Sequence, residues 1–182
     1  MRMPAPLFYT TEMVRSLPED GNRYETVYGE LLVSPSPRPR HQVVAARIFG
    51  AFFKYLEANP VAMVLYSPAD LTFGREDVLV QPDIFVLRAD NAPVTKWDDV
   101  GRLLLAIVIL SPSTARQDRF TKRRLYQEIG ADEYWLVDPD GGAFEVWAPD
   151  AHFPRVESRT VTWTAPGAAS PLVLDVRELL RQ

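Results

Sequence analysis

The chain has 182 residues, 47% of them apolar and 24% charged, with a formal net charge of −4 and no cysteine. That length and apolar share predict one folded domain over 1–182 rather than a disordered chain, and the lack of cysteine excludes disulfides and thiolate metal sites. The acidic balance excludes nucleic-acid binding through overall charge and leaves that work to a local basic patch.

The opening "MRMPAPLFYTTEM" lacks the apolar run of a secretory signal. No apolar run approaches the roughly 18 residues of a membrane span. These readings predict a soluble, cytoplasmic protein that does not enter a membrane.

In chain order, "TTEMVRSLP" predicts a short helix capped by Thr10 or Thr11 and closed by Pro18. "RYETVYGELLVSP" predicts a hairpin turning at Tyr28-Gly29. In "HQVVAARIFGAFFKYLEANP" the apolar Val44, Ile48, Phe52 and Leu56 recur every fourth residue, as in an amphipathic helix, and Asn59-Pro60 ends it. "VAMVLYSPADLTF" reads as strand, turn, strand, and "GRED" as a polar turn. "VLVQPDIFVL" is a strand entered through Gln81-Pro82-Asp83, since proline fits a strand's start and not its middle. Residues 88–101 read as a polar loop holding Trp97, a candidate lid or interface.

An uninterrupted apolar strand follows over 103–110, then the turn "SPST", a cation-rich helix to about Ile129, and Gly130 as its stop. "EYWLVDP" and "AFEVW" form a hairpin around "PDGG", with Tyr134 and Trp135 in the core. A last strand is expected near "RVESRTVTW". "DVRELLRQ" closes as a short helix with Asp175 and Glu178 spaced as a capping box. Buried strands alternating with amphipathic helices predict an α/β (α+β) fold with a mixed central sheet flanked by helices. The N-terminal helix and hairpin, 10–40, are expected to pack on that core.

Asp83 stands at the mouth of a buried strand, where a rigid element can hold a carboxylate beside a crevice as a hard metal ligand. The same residue also reads as a turn aspartate bonding nearby backbone N–H groups. Lys122 lies four residues after Asp118, so the two share a helix face. That spacing fits a surface ion pair worth about a few tenths of a kcal/mol, or a lysine that orients an attacking water or helps deprotonate it. Arg116, Arg119, Lys122, Arg123 and Arg124 form the densest basic cluster, and with Arg38 and Arg40 they read as a phosphate patch or a solvated helix face. His41 opens a helix, near a site or on ordinary surface. Glu25 and Glu30 flank the hairpin turn, where exposed carboxylates are common. There is no glycine-rich nucleotide motif and no nucleophile elbow.

Taken together, "RYETVYGELLVSPSPRPRHQ", "VQPDIFVL" and "LSPSTARQDRFTKRRLYQEIGADEYWLVDP" resemble the Uma-type restriction endonucleases of the PD-(D/E)XK nuclease superfamily. The resemblance runs from about Thr10 to Asp175. It implies a restriction-endonuclease-like core and metal-dependent cleavage of DNA. It implies a Mg²⁺ (or Mn²⁺) ion held by an aspartate and a glutamate on the next core strand, with a lysine completing the site. Asp83 matches the aspartate as catalytic residue and metal ligand, Lys122 matches the lysine, and Asp118 matches the helix aspartate. Glu30 and His41 match polar positions of the N-terminal pattern, Glu30 as a catalytic residue and His41 as a DNA contact. Arg116, Arg119 and Arg123 are the helix arginines expected on backbone phosphates. A homodimer on duplex DNA is expected by analogy with the superfamily.

The chain departs from the pattern at Val108. Where the family reads Glu-Val-Leu-Ser-Pro-Ser-Thr, this chain reads Val-Ile-Leu-Ser-Pro-Ser-Thr, and no register slip brings a carboxylate into "LLLAIVIL". Losing one of two carboxylates should weaken Mg²⁺ binding severely. Either another acid, Glu30 or Asp118, reaches the metal, or the cleft binds DNA without cutting it. A non-catalytic module that binds DNA or a protein is therefore the alternative to a weakened endonuclease.

Overall fold

The structure is a computed structural model that describes residues 7–89 and 94–181. The opening residues of the chain and residues 90–93 of the 88–101 loop lie outside the described residues. Among the described residues no helix is long and apolar enough to cross a membrane.

α1 (Thr11–Arg15) starts where Thr10 accepts a hydrogen bond from the Met13 N–H, the expected cap. β1 (Arg23–Val27) and β2 (Glu30–Ser34) form the expected hairpin. Its two turn residues, Tyr28 (φ 55°) and Gly29 (φ 77°), are both left-handed, which suits the twist of a two-residue turn.

α2 (Pro39–Ala58) begins two residues before His41, with proline in its first turn. It buries Val44, Ile48, Phe52 and Leu56, as their spacing predicts, and Tyr55 as well. Each of the larger side chains contributes about 2 kcal/mol by leaving water.

β3 (Ala62–Tyr66), β5 (Ile84–Arg88), β6 (Leu105–Ile109), β7 (Tyr134–Asp138), β8 (Ala143–Trp147) and β9 (Arg155–Glu157) form one six-stranded sheet in the order β3-β5-β6-β7-β8-β9. Only β6 and β7 run parallel. β6 is buried along its whole length because both faces of the sheet are covered. α2, with β10 (Thr160–Trp163), β11 (Leu172–Asp175) and α5 (Val176–Leu180), covers one face. On the other face, the hairpin with β4 (Val78–Leu79) and the helix after β6 share a second apolar cluster. This is the expected mixed sheet flanked by helices.

Two strand expectations are revised. "ADLTF" forms only a single bridge, Leu71 to Val80. The one strand expected near "RVESRTVTW" is two, β9 on the main sheet and β10 paired with β11. β11 escapes notice because it is four residues long and only Leu172 and Leu174 face inward.

The helix after β6 is continuous but not uniform. α3 (Ala115–Gln117) passes into a π-helical segment (Asp118–Lys122) and then α4 (Arg123–Glu128), before Gly130 stops it at φ 73°. π-segments inside helices often mark functional sites. Here the segment begins and ends on the two buried charges of the helix, Asp118 and Lys122.

Candidate active site

Side chains alternate along a strand, so Arg23, Glu25 and Val27 share one face of β1. Val27 enters the apolar cluster that also holds Val108, Tyr126 and Tyr134. That face therefore delivers Arg23 and Glu25 to the layer between hairpin, central sheet and helix. From the sheet side, the β5–β6 register pairs Ile84 with Ile107 and Phe85 with Ala106. Continued by one residue, it sets Asp83 across from Val108.

Asp83 is buried and fully engaged. Its Oδ2 accepts from the Ile109 N–H at 2.7 Å and lies 3.2 Å from His41 Nε2, while Oδ1 accepts from Arg23 Nη1 at 3.2 Å. Burial pushes the carboxyl up, but the hydrogen bond to His41, the Arg23 charge and the Ile109 N–H bring it below the usual carboxylate range.

A second charged group sits deeper. Lys122 Nζ lies 2.5 Å from Glu25 Oε2 and 3.2 Å from Asp118 Oδ1, and all three side chains are at most 3% exposed. Glu25 Oε1 also accepts from the Gln81 N–H at 2.7 Å. Burial works against the Lys122 charge, yet Glu25 and Asp118 hold its proton more tightly than usual. Burial raises Asp118, against the pull of Lys122. Arg23 feels Asp83, Glu25 and Asp118 together and so links the two groups. Beside them the Tyr126 ring stacks on Tyr134 at 4.6 Å, with its hydroxyl buried and unpaired.

Two cavities, of about 670 and 440 Å³, share Arg23, Ser36, Pro37 and His41 in their walls. Asp83 faces the larger one, with Phe49 and Tyr66; the smaller one runs from Arg38 to the Ser111–Thr114 turn.

This arrangement can hold fixed charge beside a cleft. Lys122, clamped between two carboxylates, holds its proton more tightly than a free lysine. A Mg²⁺-type ion wants several oxygen ligands, commonly one or two carboxylates with waters and phosphate. The residues present do not fit one. Asp83 is spent on Arg23, His41 and the Ile109 N–H, Glu25 is spent on Lys122, and the strand neighbour is Val108. Among the described residues no group of three His, Asp or Glu side chains is placed to hold an ion.

Of the residues singled out in the sequence, the fold brings together Asp83, Lys122, Asp118 and His41. Glu30 is not among them: it is exposed at the hairpin end of β2. Arg119 is tied to Asp138 (3.0 Å) and Glu145 (2.8 Å), and Arg123 lies over the Trp147 ring and bonds Gln127. These two fasten the helix to β7 and β8. Arg116 is exposed and makes no ion pair among the described residues. Arg23 and Glu25 are the residues sequence reasoning undervalued. The signal was their period-two relation to Val27, which puts all three on the buried face of one strand.

A parallel-paired β6–β7 core inside a mixed sheet, with an aspartate at the mouth of β5 and a buried lysine on the following helix, is a restriction-endonuclease-like arrangement. A family model described as "Uma2: Putative restriction endonuclease" matches residues 11–177, and the chain belongs to that family. A crystal structure described as "a putative nuclease belonging to DUF820 from Anabaena variabilis ATCC 29413" is similar in fold. Its TM-score is 0.77 at 22% identity, over 94% of this chain and 97% of that one. Comparison with curated proteins finds no match.

Proposed function

We propose that this chain is a DNA-binding member of its endonuclease family in which metal-dependent phosphodiester hydrolysis is weakened or lost. The observation that carries the reading is the aliphatic Val108 across from Asp83, where a second carboxylate would complete a metal site. The fold supports the nuclease ancestry, and family membership supports DNA as the partner. Asp83 and Lys122 serve as fixed charges of the cleft, His41 and Arg23 orient Asp83, and Arg116 supplies an exposed cation for backbone phosphate.

The second reading is a working endonuclease using Mg²⁺ or Mn²⁺. It is favoured by the survival of Asp83, Glu25 and Lys122 as buried charges linked through Arg23. Nicking of supercoiled plasmid separates the two. With Mg²⁺ or Mn²⁺ the wild type is expected to be inert while retaining DNA on a filter in a salt-dependent way. Val108→Glu is expected to gain nicking that a further Asp83→Ala removes. Cutting by wild type that Asp83→Ala abolishes would establish the second reading. Sedimentation of the free and DNA-bound protein tests the homodimer.

A further inference from the structure

The smaller cavity is formed by two stretches, "SPSPRPRH" and "LSPST", whose arginines and hydroxyls have no role in the site around Asp83 and Lys122. Its walls come from the start of α2 and the residues before it (Ser34 to His41, with Arg23), the turn after β6 (Ile109 to Thr114) and the β7–β8 turn (Pro139, Asp140). Three arginines line it against one carboxylate, Asp140, in a chain whose net charge is −4. Arg40 is shared between Asp140 Oδ1 at 2.7 Å and the Pro139 carbonyl at 2.8 Å. Arg23 is turned toward Asp83, and Arg38 is exposed without an ion pair among the described residues.

Opposite the arginines stand three hydroxyls. Ser111 Oγ lies 3.0 Å from Ser113 Oγ and 2.9 Å from Thr114 Oγ1, so the exposed Ser113 can turn its proton outward at little cost. One donor on a lining residue lacks an acceptor among the described residues: Arg40 Nε is shut off from solvent and unpaired. An unmet buried N–H costs about 1–3 kcal/mol, so such groups point to a missing acceptor.

Arginine forks with several hydroxyls, in a cavity of about 440 Å³, match a tetrahedral oxyanion. We propose that this cavity is a metal-free binding site for a phosphate group, held by Arg38 and Arg40 on one side and Ser111, Ser113 and Thr114 on the other. The phosphate comes from a nucleic-acid strand or from a free phosphate compound; the chemistry of recognition is the same. The site adds to the DNA reading but does not depend on it, since it requires neither cutting nor duplex.

Calorimetric titration of the full chain in EDTA tests this, with inorganic phosphate, a 5′-phosphorylated single strand and the same strand without its phosphate. Arg38→Ala and Ser113→Ala change exposed side chains, so the fold is retained, as circular dichroism can check. Wild type is expected to bind phosphate saturably. Arg38→Ala is expected to weaken binding about tenfold, the loss of one charge-assisted contact, and the double variant further. No saturable binding, or equal binding by the double variant, overturns the site. Tighter binding of the phosphorylated strand than of inorganic phosphate assigns the source to nucleic acid; equal binding assigns it to a free phosphate compound. Duplex retained on filters without phosphate binding defeats this inference alone. Phosphate binding without duplex retention defeats only the DNA reading.

Discussion

Glu25 and Lys122, 97 residues apart in sequence, meet at 2.5 Å with both side chains buried, and so tie the N-terminal hairpin to the helix after β6. Breaking a buried pair leaves an uncompensated charge, which costs about 3–5 kcal/mol. Lys122→Met and Glu25→Gln are each expected to lose stability in that range. The double variant is expected to lose less than the sum, because Glu25 and Lys122 leave together and only Asp118 loses a partner. Urea unfolding of the four proteins measures the coupling, and additive losses would sink the idea.

Val108→Glu places a second carboxylate beside Asp83 in an apolar cluster. Without metal the variant is expected to be less stable by several kcal/mol, about the cost of an unpaired buried charge. Mg²⁺ or Mn²⁺ is expected to restore part of this in the variant and to leave the wild-type Tm unmoved. A wild type that is stabilised as strongly as the variant would contradict the metal-free description of its site.

Asp83 titrates below its ordinary value of 3.8, so its contribution to stability is present above that value. It is lost as pH falls through the lower folded-state value. Lys122 is raised, so its contribution is present below the ordinary 10.5 and lost as pH climbs through the higher folded-state value. Asp118 is raised and works the other way: its ionisation costs stability, and acid relieves the cost. The stability gap between wild type and Asp83→Asn is therefore expected to shrink only at acid pH. Urea titrations at stepped pH read this, and a gap that stays constant through the acid range counts against it.

The helix arginines divide by their partners. Arg123→Ala is expected to lower stability, through lost packing on Trp147, and to leave the salt dependence of DNA binding unchanged. Arg116→Ala, with no ion pair to break, is expected to leave Tm unchanged and to reduce the salt slope by about one. Filter binding over a salt series decides, and the reverse pattern would place the DNA on the β8 side of the helix.

Gly29 combines a left-handed φ of 77° with close approach of the Phe8 ring, which a Cβ would strike. Gly29→Ala is expected to cost at least about 1 kcal/mol, from backbone strain alone. A smaller loss on thermal unfolding would show that Phe8 swings aside freely.

Much of this was legible in the chain. The four-residue rhythm of α2 and the apolar run of β6 needed only periodicity, and "QPD" fixed the mouth of β5. The absence of an acid at 108 could be read directly. What could not be read was which polar residues meet. Glu25 and Glu30 look alike in sequence, and the hairpin register sets both on one face, yet Glu25 lies mid-strand and is buried while Glu30 stands at the turn and is exposed. The arginines of the helix look equivalent until Asp138, Glu145 and Trp147 claim two of them. Pairings across 60 to 100 residues, such as Arg23 with Asp83, are set by packing and leave no local trace.

Arg23 and Lys122 balance Asp83 and Glu25 from within the chain itself. Folding therefore owes nothing to an outside ion, and a chelator should leave the scaffold intact. Selection on the scaffold and selection on hydrolysis are uncoupled by that arrangement. On the proposed reading, a single side chain on β6 turns cutting off while every other part of the cleft stays in place, so losing the reaction need not cost the fold.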